Sequence, residues 1–299
     1  MLSIIIVNYN SSKDIEVCLN SIVQFEPCYK EYEIIIVDNN SNDKGLKGIK
    51  NQFPFVKIIM APENGGFAYG NNRGIETASG DYILLLNPDT YIKDNSIEKL
   101  YLRLLKGDVQ LIGPQLFGKN GTNDSYYSPK SFLTLWKLIG ERFYFYKLFK
   151  PIKPFNSLFR TYMNYSKEQN VESIGGAALM FKKTILEKTG LLDERYFLYF
   201  EENDFCMQAH NAGFKLLYYP GSHVVHVGGT TSETGSDFAA MHRMKSFKKY
   251  FKKNFPLSYV PAHIVFFCGA LLRVIGAKLV GSKKYTYFKS ELKHLCNLK

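Results

Sequence analysis

The sequence has little cysteine, and no pattern in what it has. Cys18, Cys28, Cys206, Cys268 and Cys296 are odd in number and scattered, with no Cys-x-x-Cys spacing, which argues against a disulfide framework and against a zinc site. Reduced thiols are the expectation. A leader is also lacking: Met1-Leu-Ser-Ile-Ile-Ile-Val7 has no basic residue, too short an apolar run and no small-residue cleavage site, so it reads as a first strand of a cytoplasmic protein. No apolar run reaches the ~20 residues needed to span a membrane. Tyr259 to Leu272 is 14 residues long, and Arg273 and Lys278 interrupt its continuation. No glycine-rich triphosphate loop follows the first strand, where Asn8-Tyr9-Asn10-Ser11 stands instead. That speaks against a nucleotidyltransferase.

Acids are scarce at the C-terminal end. From Asp237 to Lys299 there are 13 lysines or arginines against Asp237 and Glu291, so this segment carries the whole net charge of +11 and residues 1–236 balance to zero. A basic appendage of this kind seeks anionic lipid, an anionic lipid-linked substrate or nucleic acid. In Arg243–Phe255, Met244, Phe247, Phe251 and Phe255 recur at intervals of three and four with lysines between them, the pattern of an interfacial amphipathic helix that lies on a membrane without crossing it. The alternative is that this aromatic face packs on the catalytic domain with the lysines solvated.

What is abundant is apolar: 45% of residues are hydrophobic and 15% aromatic, enough for one large domain with appendages. The chain is organised around Asp81-Tyr-Ile-Leu-Leu-Leu-Asn-Pro-Asp-Thr90. Ile83 to Leu86 read as a strand buried on both faces, and its carboxyl end delivers Asp89, the edge where ligands bind in open α/β sheets. Strands are expected at Ser3–Val7, Glu33–Val37, Val56–Met60, Val109–Gly113 and around Val171–Lys182, with helices between the early ones. This rhythm predicts a Rossmann-like, mostly parallel mixed α/β sheet. Gly65-Gly66 before a helix lets backbone approach a phosphate, and Pro220-Gly221 reads as a turn after a strand at Lys215–Tyr219. Glu201, Glu202 and Asp204 open a helix running to about Asn211; three acids there exceed what capping requires. His226 falls before Gly228-Gly229, where a second ligand for a metal held by Asp89 is expected. Residues 118–168 interleave aromatics with Lys and Arg. They read as an irregular helical insertion packed inward, or as an acceptor-side lid touching the membrane interface.

Taken together, Ser3-Ile-Ile-Ile-Val-Asn-Tyr-Asn10, Val37-Asp-Asn-Asn-Ser41, Asn64-Gly-Gly-Phe-Ala68 with Asn71-Asn-Arg-Gly74, Leu86-Asn-Pro-Asp-Thr90, Gly175-Gly-Ala177, Tyr199-Phe-Glu-Glu-Asn-Asp204 and His226-Val-Gly-Gly229 resemble family 2 of the inverting nucleotide-sugar glycosyltransferases, of the fold called GT-A. The Asn-Pro-Asp form looks most like the rhamnosyltransferase-type branch. The resemblance spans about residues 3–230 and implies a catalytic domain, placed over 1–236, while the charge balance sets residues 237–299 apart as a basic helical region. It implies a UDP- or dTDP-sugar donor, dTDP-rhamnose favoured, and a glycan or polyprenyl-diphosphate-linked acceptor in cell-surface polysaccharide assembly. Val7, Tyr9, Asp38, Asn64, Gly66, Asn71, Asn87 and Asp89 would line the donor site, with Tyr9 near the base and Asp38 accepting its imide N–H. Gly175, Gly176 and Asp204 would face the acceptor. Asp89 and His226 would hold Mg²⁺ or Mn²⁺. Glu202 occupies the place of the family's catalytic base, usually the aspartate of a Glu-Asp pair; here the pair is Glu201-Glu202, and both remain candidates.

A non-catalytic nucleotide- or RNA-binding module is the reading from another class, and the joint presence of Asp89, Glu202 and His226 speaks against it, so no nucleic-acid partner is expected. A processive synthase would carry several membrane spans. The expected location is the cytoplasm, peripheral on the inner face of the plasma membrane, with an anionic membrane surface as partner of the C-terminal region; a homodimer is left open.

Overall fold

A computed structural model of the protein describes residues 1–121, 128–145, 163–228, 237–282 and 284–297. Much of the aromatic and basic insertion, and Gly229 of the His226-Val-Gly-Gly motif, lie outside the described residues. The described chain forms two compact units. The first takes its residues from 1–130, 164–194 and 201–231, the second from 131–163, 195–200 and 232–299. The insertion from Ser131 onward and the C-terminal region thus share a unit, an arrangement that sequence order does not suggest.

Aliphatic runs build the first unit. In chain order its elements are β1 (Leu2–Asn8), α1 (Ser12–Phe25), β2 (Glu33–Asp38), α2 (Leu46–Gln52), β3 (Lys57–Met60), α3 (Phe67–Thr77), β4 (Tyr82–Leu86), β5 (Thr90–Ile92), α4 (Ser96–Leu104) and β6 (Leu111–Phe117). After the second unit's α5 (Leu135–Arg142) come β7 (Gln169–Asn170), β8 (Ala178–Lys182), α6 (Leu186–Thr189), α7 (Glu201–Asn211) and β9 (Leu216–His226). The strands join in the order β3-β2-β1-β4-β8-β6-β9-β5, with β7 added against β9. β1, β2, β3, β4, β6 and β9 run one way and β5, β7 and β8 the other. The sheet is therefore mixed and mostly parallel, as the strand-helix rhythm predicts. All seven residues of β1 are buried, the signature of a central strand covered on both faces.

In α1, Ile15, Cys18, Leu19 and Ile22 pack inward, while Val23 is 36% exposed. Two features of the sheet depart from what local sequence suggests. Thr90–Ile92 forms a strand that a turn-like Asn-Pro-Asp-Thr hides, pairing antiparallel with β9. Pro220-Gly221 makes no turn, because β9 runs on to His226. The register against β6 jumps between Pro114↔Tyr219 and Gln115↔His223. The residues in between bulge out, which is how a strand accommodates a proline lacking a donor. Ser96 holds the bulge to the start of α4: its Oγ donates to the His223 carbonyl at 2.7 Å, and Ser222 Oγ donates to the Ser96 carbonyl at 2.8 Å.

The same helix end is capped from a distance. Glu26, 1% exposed, accepts the Ile97 N–H at 2.7 Å and the Glu98 N–H at 3.0 Å, satisfying two of the donors that a helix N-terminus leaves open. Replacing Glu26 by alanine should destabilise the chain by about 1–2 kcal/mol, read as a lowered urea midpoint with an unchanged slope. A wild-type midpoint would remove the capping role.

The second unit is helical. α5 is joined by α8 (Asp237–Asn254), α9 (Tyr259–Leu279) and α10 (Tyr285–Asn297). The aromatic face of α8 is occupied by protein: Met244, Phe247 and Phe251 are fully buried, and Phe247 packs on Phe266 of α9 with ring centroids 4.7 Å apart. The aromatic face thus packs inward, but on α9 of the same unit, where the alternative reading of Arg243–Phe255 has it on the catalytic domain; Lys249, Lys252 and Lys253 are exposed and Lys245 and Lys248 half-buried. The 14-residue apolar run seen in the sequence is also only part of α9. Pro256–Leu279 is long and apolar enough to cross a membrane by length and composition alone, and 28% of an 18-residue apolar stretch within it is buried.

Candidate active site

The carboxyl ends of β1, β2 and β4 carry the residues that the sequence singles out, because a parallel sheet delivers the end of every strand to one edge. At the end of β1, Val7 is 8% exposed and Tyr9 39% exposed, so the tyrosine ring is available to a ligand. At the end of β2, Asp38 is turned inward. Its Oδ1 accepts the Asn8 amide at 2.7 Å and its Oδ2 accepts the Ser41 N–H at 3.1 Å. Asn10, at φ 56°, accepts the Asn42 N–H at 2.8 Å, and Asp43 accepts the Ser12 N–H at 2.9 Å. The two strand-end loops thereby hold each other, with no side-chain cap from Ser11 itself.

Asn39 extends this network. It is 2% exposed, and its side-chain amide donates to the Gly66 carbonyl at 2.8 Å, fixing the glycine loop against β2. Gly66 adopts φ 91°, a conformation that favours glycine, and it leads straight into α3. Asn64 Oδ1 accepts the Gly66 N–H at 3.1 Å. Asn71 is 1% exposed and donates to the Phe67 carbonyl at 2.9 Å. A Cβ at Gly70 would come 2.6 Å from Val7 Cγ1, so glycine there lets α3 seat on β1.

At the end of β4, Asp89 meets His226. Asp89 Oδ2 is 3.3 Å from His226 Nε2, with both side chains about nine-tenths buried. The pairing of Thr90 with His226 and the Val227 N–H donated to the Asp89 carbonyl at 3.0 Å impose this proximity, so the short β5 explains how a histidine 137 residues later reaches the aspartate. Two ligands of Mg²⁺ or Mn²⁺ at ~2.1–2.2 Å in neighbouring octahedral positions lie ~3 Å apart, and the pair has that spacing. An oxygen and an imidazole nitrogen suit such a cation, with substrate oxygens completing the shell. Asn87 Oδ1 is buried with no hydrogen-bond partner among the described residues, a further oxygen acceptor two residues from Asp89. Among the described residues no group of three or more His, Cys, Asp or Glu forms a metal site, so a cation here would depend on substrate oxygens.

The Glu201-Glu202 pair opens α7, and the two side chains differ. Glu201 is buried, and its Oε2 has no hydrogen-bond partner among the described residues. Burial, reinforced by the neighbouring Glu202, pushes its carboxyl well above the usual carboxylate range, against a smaller pull from Lys130. Glu202 has a cation: Lys130 Nζ lies 2.8 Å from its Oε1. A Cβ added at Gly176 would lie 3.5 Å from Glu202 Cβ and 3.6 Å from the Phe67 ring. The next residue, Ala177, accepts the Asn87 N–H at 2.9 Å. Gly175-Gly176 therefore bridges Glu202, the start of α3 and the strand end carrying Asp89. The Gly175 N–H donates to Ser128 Oγ at 3.3 Å, and Asp204 is 2% exposed.

Tyr199 and Phe200, immediately before the pair, sit at φ 69° and 72°, a strained region for aromatic residues. Sequence reasoning missed Asn39 and Lys130. Asn39 adjoins Asp38 in Val37-Asp-Asn-Asn-Ser41, so local polarity was a usable signal. Lys130, 72 residues before its partner, has none.

Comparison with known proteins follows the same lines. The family described as Glycosyl transferase family 2 matches residues 3–190. The low-salt glycan biosynthesis hexosyltransferase Agl10 of Haloferax volcanii is 29% identical over 217 residues, covering 70% of this chain and 61% of that protein. The glycosyltransferase GlyG of Streptococcus pneumoniae is 27% identical, covering 42% of each. The chain thus spans less than two thirds of these two relatives. The N-acetylglucosaminyl-diphospho-decaprenol L-rhamnosyltransferase of Mycobacterium tuberculosis is 23% identical, over 81% of this chain and 82% of that protein. Among solved structures, GalNAc-T7 with UDP, GalNAc and Mn²⁺ superposes with a TM-score of 0.58 at 15% identity, covering 86% of this chain and 52% of that one. S. aureus TarS 1–349 gives 0.53 at 15% identity, covering 97% and 90%. These likenesses identify the fold as GT-A.

Proposed function

The chain belongs to glycosyl transferase family 2, and on that premise we propose that it is an inverting, metal-dependent enzyme moving a sugar from a UDP- or dTDP-sugar to a glycan or polyprenyl-diphosphate-linked glycan in cell-surface polysaccharide assembly. dTDP-rhamnose is the favoured donor, a choice supported by Asn87-Pro-Asp89 and by likeness to the mycobacterial rhamnosyltransferase. The observation that carries the proposal is the pairing of Asp89 with His226 at 3.3 Å at the strand-end edge, where Asn87, two residues before Asp89, donates its N–H to the carbonyl of Ala177, next to the Gly176 that lies beside Glu202.

Asp89 and His226 would hold Mg²⁺ or Mn²⁺, which when bound stabilises negative charge developing on the departing diphosphate. The remaining work falls to the protein's own groups. Tyr9 stacks near the base, and Asp38 selects uracil or thymine through the imide N–H. Val7, Asn64, Gly66 and Asn71 line the ribose and diphosphate. Glu202 takes the proton of the acceptor hydroxyl, a role that needs a carboxylate on the face opposite the leaving group. Lys130 holds that carboxylate in place until the acceptor arrives. Glu201 is less suited to the same task because its carboxyl is buried, and burial disfavours the charged form. Gly175, Gly176 and Asp204 shape the acceptor side. The basic region 237–299 brings the enzyme to the inner face of the plasma membrane.

The donor assignment is tested by thermal shift with UDP, dTDP, GDP and CDP, each with Mn²⁺. UDP or dTDP should raise the melting temperature by several degrees and GDP and CDP should not. A larger shift with GDP would contradict the role given to Asp38.

A further inference from the structure

The helix α9 presents two faces of opposite character. Ala262, Phe266, Gly269, Ala270 and Ala277 are buried within the second unit, and Arg273 fastens that side by donating to Glu141 Oε1 at 2.9 Å. The other side is apolar and uncovered: Val260, Ile264, Phe267, Leu271 and Ile275 are 37% to 61% exposed. They recur at intervals of three and four, a single stripe about 23 Å long at 1.5 Å per residue. Exposed contiguous apolar surface of this length marks an interaction site.

Charge identifies the partner. Tyr259–Leu279 contains no acidic residue. At the N-terminal end of the stripe Lys252 Nζ lies 5.2 Å from the Tyr259 ring centre. Lys278 falls in the helical register of the stripe at its other end, and both lysines are exposed. Lys284, Lys289 and Lys293 are exposed on the chain just beyond. An apolar stripe closed at both ends by cations matches an anionic lipid surface, with hydrocarbon against the stripe and headgroups against the lysines. A second copy of the chain fits poorly, since a two-fold contact through this face would bring like charges together with no acid on the helix to pair them.

We infer that α9 is a monotopic membrane-docking helix, lying in the headgroup layer of an anionic bilayer through its Val260–Ile275 stripe while its opposite face stays fastened to the protein. This replaces α8 as the membrane-facing element, since the apolar face of α8 is already buried. The inference deepens the proposed membrane location and rests on it, but its test requires no sugar transfer, so its failure leaves the catalytic reading standing.

The test is co-sedimentation of the full chain with vesicles of 30% phosphatidylglycerol in phosphatidylcholine, and with phosphatidylcholine alone. The wild type should pellet with the anionic vesicles and at least ~10-fold less with neutral ones or in 0.5 M salt. Ile264→Ser with Leu271→Ser, at exposed positions that leave folding intact by circular dichroism, should reduce binding at least ~10-fold; Lys278→Glu should reduce it less. A wild type that stays in the supernatant, a double variant that pellets like the wild type, or a wild-type dimer that this double variant converts to monomer with vesicle binding unchanged would each overturn it.

Discussion

Replacing Asp89 by alanine should lower sugar transfer at least ~100-fold, because it removes the carboxylate 3.3 Å from His226, the anionic ligand proposed for a cation that would stabilise the departing diphosphate. Chelator should act on the wild type in the same direction and hardly at all on the variant, which no longer has the full site to lose. His226→Ala should lower activity less, since a neutral imidazole contributes less to cation binding than a carboxylate does. The readout is nucleoside diphosphate release at saturating donor across a Mn²⁺ and Mg²⁺ titration. Full activity of Asp89→Ala, or of the wild type in excess chelator, would remove the cation from the account.

The second large effect concerns the two glutamates. Glu202→Gln keeps the shape and removes the basic oxygen, so transfer should fall roughly 10²–10⁴-fold while donor binding survives. Glu201→Gln should stay within a few-fold of wild type, because burial and the neighbouring Glu202 already push the Glu201 carboxyl above the usual carboxylate range, so a neutral amide of the same shape costs less there than at Glu202. The two variants therefore separate roles that the sequence leaves open between adjacent acids. If Glu201→Gln is the inactive variant and Glu202→Gln retains activity, the roles are exchanged.

Much of the site was legible because strand ends are legible. Continuous aliphatic runs such as Ile83–Leu86 reveal buried strands, and a parallel sheet sends Val7, Asp38 and Asp89 to one edge whatever the details of the loops. The convergence of Asp89 and His226 was expected as a motif, but its physical cause was not visible. It depends on a three-residue strand, Thr90–Ile92, and on a β9 that continues through Pro220-Gly221. Both are decided by tertiary pairing and a bulge, which override local turn chemistry. Lys130 was illegible for a related reason: a lone lysine in a polar loop carries no signal until the β-bridge of Lys130 with Ser173 brings it toward α7. In the C-terminal region periodicity identified an amphipathic helix in α8 correctly and could not say what covers its apolar face. Phe266, from the next helix, covers part of it. The uncovered stripe lies on α9, whose mixture of alanines, glycines and large aliphatics reads from sequence as one interrupted apolar run.

The claim on which the rest depends is that a single displacement, with a carboxylate drawing the acceptor proton, transfers the sugar. It is tested most directly by determining the anomeric configuration of the product by NMR after transfer from a donor of known configuration. The product should have the opposite anomeric configuration, formed by the wild type and lost with Glu202→Gln. A product that keeps the donor's configuration would contradict it.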